Sequence, residues 1–196
     1  MKPVIVNLDR PLRGRPPKNW CWEVLPIITP GQITRRVKEL AKQIRADYLG
    51  QNPVVVGVMN GSFIFLADLL RALEMPVQLD FVSVSSYRDG TSPGGLKVTK
   101  KPSCSLRNRH VIVVDDILDT GRTLRFIVST LRPKKPASIR TCVLLDKPAC
   151  RQVEIRAHYV GFQIPNRFVV GYGLDKVGWY RNLRFVGVTR DQIAAG

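Results

Sequence analysis

Long apolar segments are missing from this 196-residue chain. No stretch approaches the ~18 consecutive apolar residues that a membrane-spanning helix requires. The amino-terminal stretch MKPVIVNLDRPLRGRPPKNW also lacks the apolar core of a signal peptide, because Asp9, Arg10 and four prolines interrupt it. Internal repeats and low-complexity tracts are absent as well. We therefore expect a cytoplasmic protein without a membrane partner.

Cysteine and histidine are both scarce, and neither forms a metal-binding pattern. The cysteines lack C-x-x-C spacing, which favours free thiols over a zinc site or disulfides. They are Cys21, Cys104, Cys142 and Cys150. The two histidines, His110 and His158, each flank an apolar run. A lone histidine in such a place is more often the polar end of a strand than a metal ligand.

Acidic residues are few, since 15 Asp and Glu stand against 31 Lys and Arg and give a formal net charge of +16. Such a surplus steers anions to a cleft, marks contact with nucleic acid or belongs to a solvated basic surface. No basic run is interleaved with aromatic residues, so nucleic-acid binding ranks low.

The chain length and the 44% hydrophobic content fit one domain with a good-sized core, which we assign to residues 21–196. Residues 1–20 are rich in proline and basic side chains and predict a mobile arm that contacts a neighbouring subunit. Apolar patterns predict further strands over residues 20–28, 53–58, 77–87 and 137–145, and helices over residues 29–48 and 63–73. This succession indicates an α/β fold with a mostly parallel central sheet flanked by helices.

The most informative stretch covers residues 111–131, VIVVDDILDTGRTLRFIVSTL. Its four β-branched residues at 111–114 predict a strand that is buried on both faces. Asp115 and Asp116 follow, then the turn-forming residues 119–123, which we call the phosphate loop. A helical pattern comes next, formed by Leu124, Ile127, Val128 and Leu131.

A loop between a parallel strand and a helix is suited to binding a phosphate. The start of the helix offers free backbone N–H groups and the positive end of the helix dipole. Gly121 permits close approach of the backbone, and the hydroxyls of Thr120 and Thr123 can donate to phosphate oxygens. Asp115 and Asp116 repel a phosphate, so sugar hydroxyls or a hydrated Mg²⁺ are their natural partners.

Other loops follow strands at the same predicted edge of the sheet. Residues 59–62, MNGS, lie between a strand and a helix and form a second candidate anion site, the pyrophosphate loop. Residues 88–95 are rich in turn formers and predict either an active-site lid or a disordered connector. The strand predicted at 137–145 ends in a charged tip, Asp146 and Lys147, and Lys147 is a candidate ligand-binding residue at this edge.

The stretch VVDDILDTGRTL, residues 113–124, resembles the phosphoribosyl pyrophosphate (PRPP) signature of the type I phosphoribosyltransferases. The resemblance implies their fold, with a small hood formed by the terminal segments. It further implies that Asp115 and Asp116 bind the ribose 2′- and 3′-hydroxyls. The residues implied to cradle the 5′-phosphate are Asp119, Thr120, Gly121, Arg122 and Thr123.

The same resemblance extends to two other loops. In the family, a loop at residues 59–62 binds pyrophosphate through backbone amides; here it consists of Met59, Asn60, Gly61 and Ser62. The resemblance implies a cis peptide bond between Met59 and Asn60, and many relatives carry Lys or Arg in place of this asparagine. Ser86 and Tyr87 match the Ser-Tyr pair of the flexible catalytic loop that closes over the reacting centre.

The carboxyl-terminal third resembles one branch of that family, the hypoxanthine-guanine phosphoribosyltransferases. The matching blocks are residues 159–162, 168–175 and 179–183. By resemblance, Lys147 donates to the 6-oxo group of a purine, Phe168 stacks on the base, and the Val169 backbone meets its exocyclic edge. Asp175 would hold a second Mg²⁺ through water, and Arg181 would reach the pyrophosphate.

The resemblance implies transfer of a phosphoribosyl group from PRPP to hypoxanthine or guanine, with Mg²⁺ as cofactor and Asp119 as general base toward purine N7. Such enzymes assemble as homodimers or homotetramers. A xanthine-preferring enzyme remains open, whereas adenine is disfavoured because Lys147 only donates hydrogen bonds. An RNA-binding regulator with the same fold is the rival from another class, and Asp119 argues against it because those regulators typically lack this carboxylate.

Overall fold

The computed structural model describes residues 2–6, 24–87 and 95–189. In these residues the chain forms nine strands and three α-helices, with short 3₁₀ turns at Arg132–Lys134 and Pro148–Cys150. In chain order they are β1 (Val4–Ile5), β2 (Val24–Ile28), α1 (Pro30–Tyr48), β3 (Val54–Met59), α2 (Phe63–Leu73), β4 (Gln78–Tyr87), β5 (Gly95–Lys100), β6 (His110–Leu118), α3 (Arg122–Leu131), β7 (Ser138–Asp146), β8 (Tyr159–Gln163) and β9 (Val186–Thr189).

The main sheet has seven strands in the order β1-β8-β7-β6-β3-β4-β5. Every neighbouring pair is parallel except β4 and β5, which are antiparallel. The second sheet pairs β2 with β9, one from each end of the described chain, and corresponds to the predicted hood. The predicted α/β fold with a mostly parallel central sheet is therefore confirmed.

The central strands are apolar because both of their faces are covered. Side chains alternate between the faces of a strand. On one face, Val55 and Ile112 pack in the core formed with α1 and α2. On the other face, Val54, Val56 and Val111 pack against α3. The β3–β6 pair thus forms the rigid centre whose strand ends position the loops.

Helix α1 begins with a capping box formed by Thr29 and Gln32. The side chain of Gln32 accepts from the Thr29 backbone at 2.8 Å, and the Thr29 hydroxyl accepts from the Gln32 backbone at 3.3 Å. Pro30 occupies the first turn, where its missing N–H costs nothing. Arg36 of α1 is buried although it is basic. Its guanidinium donates to the Gly161 carbonyl of β8 at 2.8 Å.

The strand boundaries differ from expectation at several places. Strand β6 continues to Leu118, so Asp115 and Asp116 lie within the end of the strand instead of in the loop after it. Strand β5 was not predicted and begins where the candidate lid ends, while residues 88–94 of that lid lie outside the described residues.

The amino-terminal segment is described only in part. Val4 and Ile5 pair with β8, so this part of the predicted arm is an edge strand of the main sheet. Residues 7–20 of the arm, and residues 20–23 of the strand predicted at 20–28, lie outside the described ranges. Over the ranges that the structure describes, no helix is long and apolar enough to cross a membrane.

Candidate active site

The carboxylate pair of β6 lies at the carboxyl edge of the sheet. Asp115 is buried, and its Oδ1 accepts from the Asp116 backbone N–H at 3.0 Å. Oδ1 of Asp116 accepts from the Ile117 N–H at 2.8 Å. Neither carboxylate forms an ion pair with another described residue.

Burial disfavours the charged form of both carboxylates. It raises the pKa of Asp115 well above its usual value, and the charge of Asp116 raises it further. Burial also raises the pKa of Asp116, although the charge of Arg181 acts in the opposite direction. A bound cation, or a pair of hydroxyl groups that donate to the carboxylates, would stabilise their charged forms.

The phosphate loop and the carboxylate pair line a common cavity of about 190 Å³. Of the residues predicted to bind PRPP, those that line it are Asp115, Asp116, Asp119, Thr120, Gly121 and Thr123. Arg122 does not line it, and its side chain is exposed. The N-cap residue of α3, Gly121, has no capping side chain, and the Arg122 N–H donates to the Thr120 hydroxyl only at 3.4 Å, so the start of the helix can still present backbone N–H groups to an anion.

Gly121 is required at the start of α3 for two reasons. Its φ of +84° lies in the left-handed region, which disfavours other residues. A Cβ at this position would lie 2.7 Å from Cγ2 of Ile155 and 3.0 Å from Cδ of Arg151. The segment after β7 therefore packs directly over the phosphate loop.

The pyrophosphate loop is packed between two other parts of the site. The peptide bond between Met59 and Asn60 is cis, as the resemblance implies. A Cβ on Gly61 would lie 1.7 Å from Oδ2 of Asp116, so this loop touches the carboxylate pair. The Ser62 hydroxyl is buried and donates to the Val58 carbonyl at 2.5 Å, which leaves the backbone as the available donor.

The turn before β9 carries two more predicted site residues, and they bind each other. The Arg181 guanidinium lies 2.8 Å from Oδ1 of Asp175 and also donates to the Gly173 carbonyl at 2.6 Å. The other oxygen of Asp175 accepts from the Gly178 N–H at 2.7 Å. A Cβ on Gly173 would lie 2.1 Å from the Gly61 carbonyl oxygen, so this turn is in contact with the pyrophosphate loop.

Lys147 and Asp119 form an ion pair beside the phosphate loop. The Lys147 Nζ lies 3.2 Å from Oδ2 of Asp119, and the Lys147 backbone donates to the Leu118 carbonyl at 3.0 Å. The lysine side chain is 5% exposed, whereas that of Asp119 is 46% exposed. Lys147 is therefore a buried cation that faces an accessible carboxylate; Asp119 lines the cavity of about 190 Å³, whereas Lys147 is not among its described lining residues.

Four predicted site residues remain, two before β9 and two at the end of β4. Phe168 is 43% exposed, and Val169 is buried in the core formed with α1 and α2. Ser86 and Tyr87 end β4, and Tyr87 pairs with Gly95 of β5, so the strands flanking residues 88–94 are hydrogen-bonded neighbours. The roles of Phe168, Val169, Ser86 and Tyr87 stay predictions.

Sequence reasoning missed Arg151, which fixes the end of β6. Its guanidinium donates to the Leu118 carbonyl at 3.1 Å and to the Asp119 carbonyl, and it forms an ion pair with Asp146. The charged tip at Asp146 and Lys147 was the available signal. An arginine four residues beyond that tip follows no periodicity that would distinguish it from a surface residue.

The carboxylates fit Mg²⁺ only as a site shared with substrate. The described residues contain no group of three or more His, Cys, Asp or Glu side chains that could hold a metal ion. Mg²⁺ usually takes one or two protein carboxylates and completes its shell with water and substrate oxygens. Asp115 is a buried oxygen donor and Asp116 a part-buried one, and neither forms an ion pair with a cation among the described residues, so their chemistry fits this arrangement.

Comparison with known proteins agrees with this geometry. The sequence model of the phosphoribosyl transferase domain matches residues 5–176. The hypoxanthine-guanine phosphoribosyltransferase of Streptococcus pneumoniae strain R6 is 40% identical over 168 residues, which cover 85% of this chain and 93% of that protein. A crystal structure of a hypoxanthine-guanine phosphoribosyltransferase from Bacillus anthracis is 43% identical, with a TM-score of 0.78 over 84% of this chain and 96% of that chain.

A longer relative matches over part of its length. The bifunctional protein TilS/HprT of Listeria monocytogenes serotype 4b is 44% identical over 168 residues, which cover 85% of this chain. This chain spans only 26% of that protein. The chain belongs to the phosphoribosyl transferase family and, within it, to the hypoxanthine-guanine phosphoribosyltransferases.

Proposed function

We propose that the chain is a purine salvage enzyme that transfers the 5-phosphoribosyl group of PRPP to hypoxanthine or guanine, giving IMP or GMP and pyrophosphate. The observation that carries the proposal is the Lys147–Asp119 pair, 3.2 Å apart at the edge of the phosphate loop. It combines a cation for a 6-oxo group with a carboxylate for a ring N–H, at the place where a base must meet the ribosyl group.

PRPP binding is assigned to the cavity at the end of β6. The 5′-phosphate binds at the first N–H groups of α3, and the ribose hydroxyls donate to Asp115 and Asp116. The pyrophosphate binds the backbone of residues 59–62, and Arg181 supports it from the neighbouring turn. Contact between Gly61 and Asp116 supports this order of groups, since it brings the two anion loops to opposite ends of one sugar site.

The reaction breaks the anomeric C–O bond toward pyrophosphate and forms a C–N bond to the purine. The ribosyl centre then resembles an oxocarbenium ion, as in glycoside chemistry. Asp119 accepts the proton from purine N7 while N9 bonds to the anomeric carbon, a general-base role. Lys147 donates to the 6-oxo group and holds the base in position. Ser86 and Tyr87 belong to a closing loop that keeps water from the cationic centre.

Asp115 and Asp116 would hold a Mg²⁺ ion together with PRPP oxygens, and Asp175 would hold a second ion through water. Bound Mg²⁺ neutralises charge that develops on the pyrophosphate. In the structure Asp175 is paired with Arg181, so a metal at this side must share the carboxylate with that guanidinium.

We place the protein in the cytoplasm as a homodimer or homotetramer. The described cysteines, Cys104, Cys142 and Cys150, are free thiols, as is usual in a reducing compartment. Val177 and Trp179 are 90% and 74% exposed beside the Asp175–Arg181 pair, and exposed apolar side chains of this kind support a subunit contact.

The proposal is tested by nucleotide formation from PRPP and Mg²⁺ with hypoxanthine, guanine, xanthine and adenine in parallel assays. Turnover of hypoxanthine or guanine, with little or none of adenine, is the expected result. Preference for xanthine would change the base and keep the mechanism. No turnover with any base, from a folded protein that binds RNA in a salt-dependent way, would overturn the proposal in favour of a regulator.

A further inference from the structure

A second, larger cavity of about 550 Å³ lies between α3, β7 and residues 154–158. It shares no lining residue with the cavity at Asp115 and Asp116. We call it the α3 groove; its charged and titratable lining residues are Arg125, Arg132, Arg156, Glu154 and His158. The volume falls in the range of about 300–1,000 Å³ that is typical of small-molecule sites.

Two guanidinium groups of the α3 groove are not used by the fold. Arg125 donates to the Glu154 carbonyl at 3.0 Å and thereby joins α3 to the opposite wall. The side chains of Arg132 and Arg156 have no hydrogen-bond or ion-pair partner in the part of the chain that the structure describes. A planar guanidinium binds phosphate with paired N–H donors, so two of them in one cavity favour a phosphate group.

His158 supplies a neutral donor to the same cavity. Its Nδ1 accepts from the Thr141 backbone N–H at 3.1 Å, which places the proton of the neutral ring on Nε2. Burial, supported by the charge of Arg140, lowers the pKa of His158. In the described residues no partner is found for Nε2, so its N–H can donate to a ligand in the groove.

The rest of the groove is apolar and suits the body of a small molecule. Its apolar wall is formed by Val128, Pro136, Ile139 and Ile155. Among the described residues, no Phe, Tyr or Trp lines the groove, whereas surfaces that bind single-stranded nucleic acid stack bases on such rings. Ile155 also packs against Gly121, so one wall of the groove is the segment that covers the phosphate loop.

We propose that the α3 groove binds a phosphate-bearing small molecule of nucleotide size, separately from the catalytic cavity. Arg132 and Arg156 bind its phosphates, and the Nε2–H of His158 donates to the same group or to the ring body. The apolar wall contacts the body of the ligand, so a nucleoside diphosphate binds more tightly than pyrophosphate alone.

The test measures ADP binding to the full chain by titration calorimetry, with PRPP and Mg²⁺ at saturating concentrations throughout. The doubly substituted Arg132→Gln/Arg156→Gln protein is compared with Arg35→Gln/Lys38→Gln, which removes two exposed charges from α1. Loss of two charge-assisted contacts predicts a Kd for ADP at least about tenfold higher in the groove variant and nearly unchanged in the α1 variant. The ¹⁵N resonance of His158 Nε2 should shift on ADP addition.

Three results would overturn the proposal. The first is no ADP binding to the unsubstituted chain, and the second is an equal loss in both variants, which would indicate general attraction to a basic surface. The third is an unchanged Kd in the groove variant, which would place ADP elsewhere, including at the catalytic loop. Inorganic pyrophosphate that binds as tightly as ADP would contradict the role of the apolar wall.

Discussion

Lys147 Nζ and Asp119 Oδ2 are 3.2 Å apart, and the lysine is the buried partner of the two. The lysine comes from the loop after β7 and the aspartate from the loop after β6, and these strands are parallel neighbours. A hydrogen bond from the Lys147 backbone to the Leu118 carbonyl fixes the two loops relative to each other. The pairing thus depends on the parallel alignment of the two strands.

Substitution Lys147→Met should separate base binding from PRPP binding. Methionine keeps the apolar stem and removes the donor, so KM for hypoxanthine should rise by about tenfold or more. KM for PRPP should stay within a factor of about three, because the substitution keeps both the Arg151 guanidinium bonds and the Lys147 backbone bond that hold Leu118 and Asp119 in place. Steady-state kinetics with each substrate varied in turn provide the measurement. A rise in the KM for PRPP alone would show that Lys147 acts on the phosphate loop.

Substitution Gly61→Ala should disrupt the contact between the pyrophosphate loop and the carboxylate pair. The added Cβ would lie 1.7 Å from Oδ2 of Asp116, so one of the two must move. A displacement of this size predicts a loss of about 100-fold in kcat/KM for PRPP. Gly31→Ala is the matched control, because nothing lies within 4 Å of a Cβ at that helical position. Equal activities of the two variants would show that the loop is not held against Asp116.

Substitution Arg151→Gln should remove the hydrogen bonds that fix the start of the phosphate loop. The guanidinium satisfies the carbonyls of Leu118 and Asp119 and pairs with Asp146. Its loss leaves these acceptors and a part-buried carboxylate without their partner, and we expect a loss of about 1–3 kcal/mol in the free energy of unfolding. KM for PRPP should rise at the same time. Urea denaturation and PRPP kinetics are the measurements; Arg35→Gln on α1 should change neither.

Much of this site was predictable because its signals are local. The run of β-branched residues, two carboxylates and a turn at 111–123 determine one strand–loop–helix unit, and the structure contains that unit. The sequence pattern predicted that β6 ends at residue 114, because Asp115 and Asp116 are charged and were expected at the surface. The fold instead buries Asp115 inside the strand end, where Asp116 lies against Gly61.

The features that sequence reasoning missed depend on contacts between distant segments. Arg36 lies on the buried face of α1 among apolar residues and donates to the Gly161 carbonyl of β8. Arg151 acts through the carbonyls of a loop about thirty residues away. Asp80 of β4 accepts from the backbone N–H groups of Ser103 and Cys104 in the loop after β5, at 2.7 and 2.8 Å. The periodicity of a single helix or strand cannot predict these contacts, because each one joins residues that are far apart in the sequence.

Asp80 should make the free energy of unfolding depend on pH in the acidic range. Burial raises its pKa, but backbone N–H donors from Cys104, Phe81 and Ser103 outweigh this effect and lower the pKa from 3.8 to about 2. A carboxylate with a lowered folded-state pKa stabilises the fold above the unfolded value and loses that contribution as pH falls through the folded value.

The contribution of Asp80 should be about 2 kcal/mol at neutral pH and should disappear between about pH 4 and pH 2. Thermal unfolding of the Asp80→Asn variant and the unsubstituted chain, measured from pH 7 to pH 2, checks this. The difference in stability should be largest at neutral pH and should shrink as the pH is lowered through this range. A difference that stays constant with pH would mean that Asp80 stabilises the loop without its charge.

The most direct test of the proposed chemistry compares Asp119→Asn with the unsubstituted chain in two measurements. Asparagine cannot accept the purine proton as a base, so single-turnover formation of IMP should slow by about 10²–10⁴-fold. The Kd for PRPP with Mg²⁺, measured by calorimetry, should change by less than about fivefold, because the amide keeps the size of the side chain and the α3 N–H groups remain. Equal losses in turnover and in PRPP affinity would contradict the general-base role and make Asp119 a binding residue.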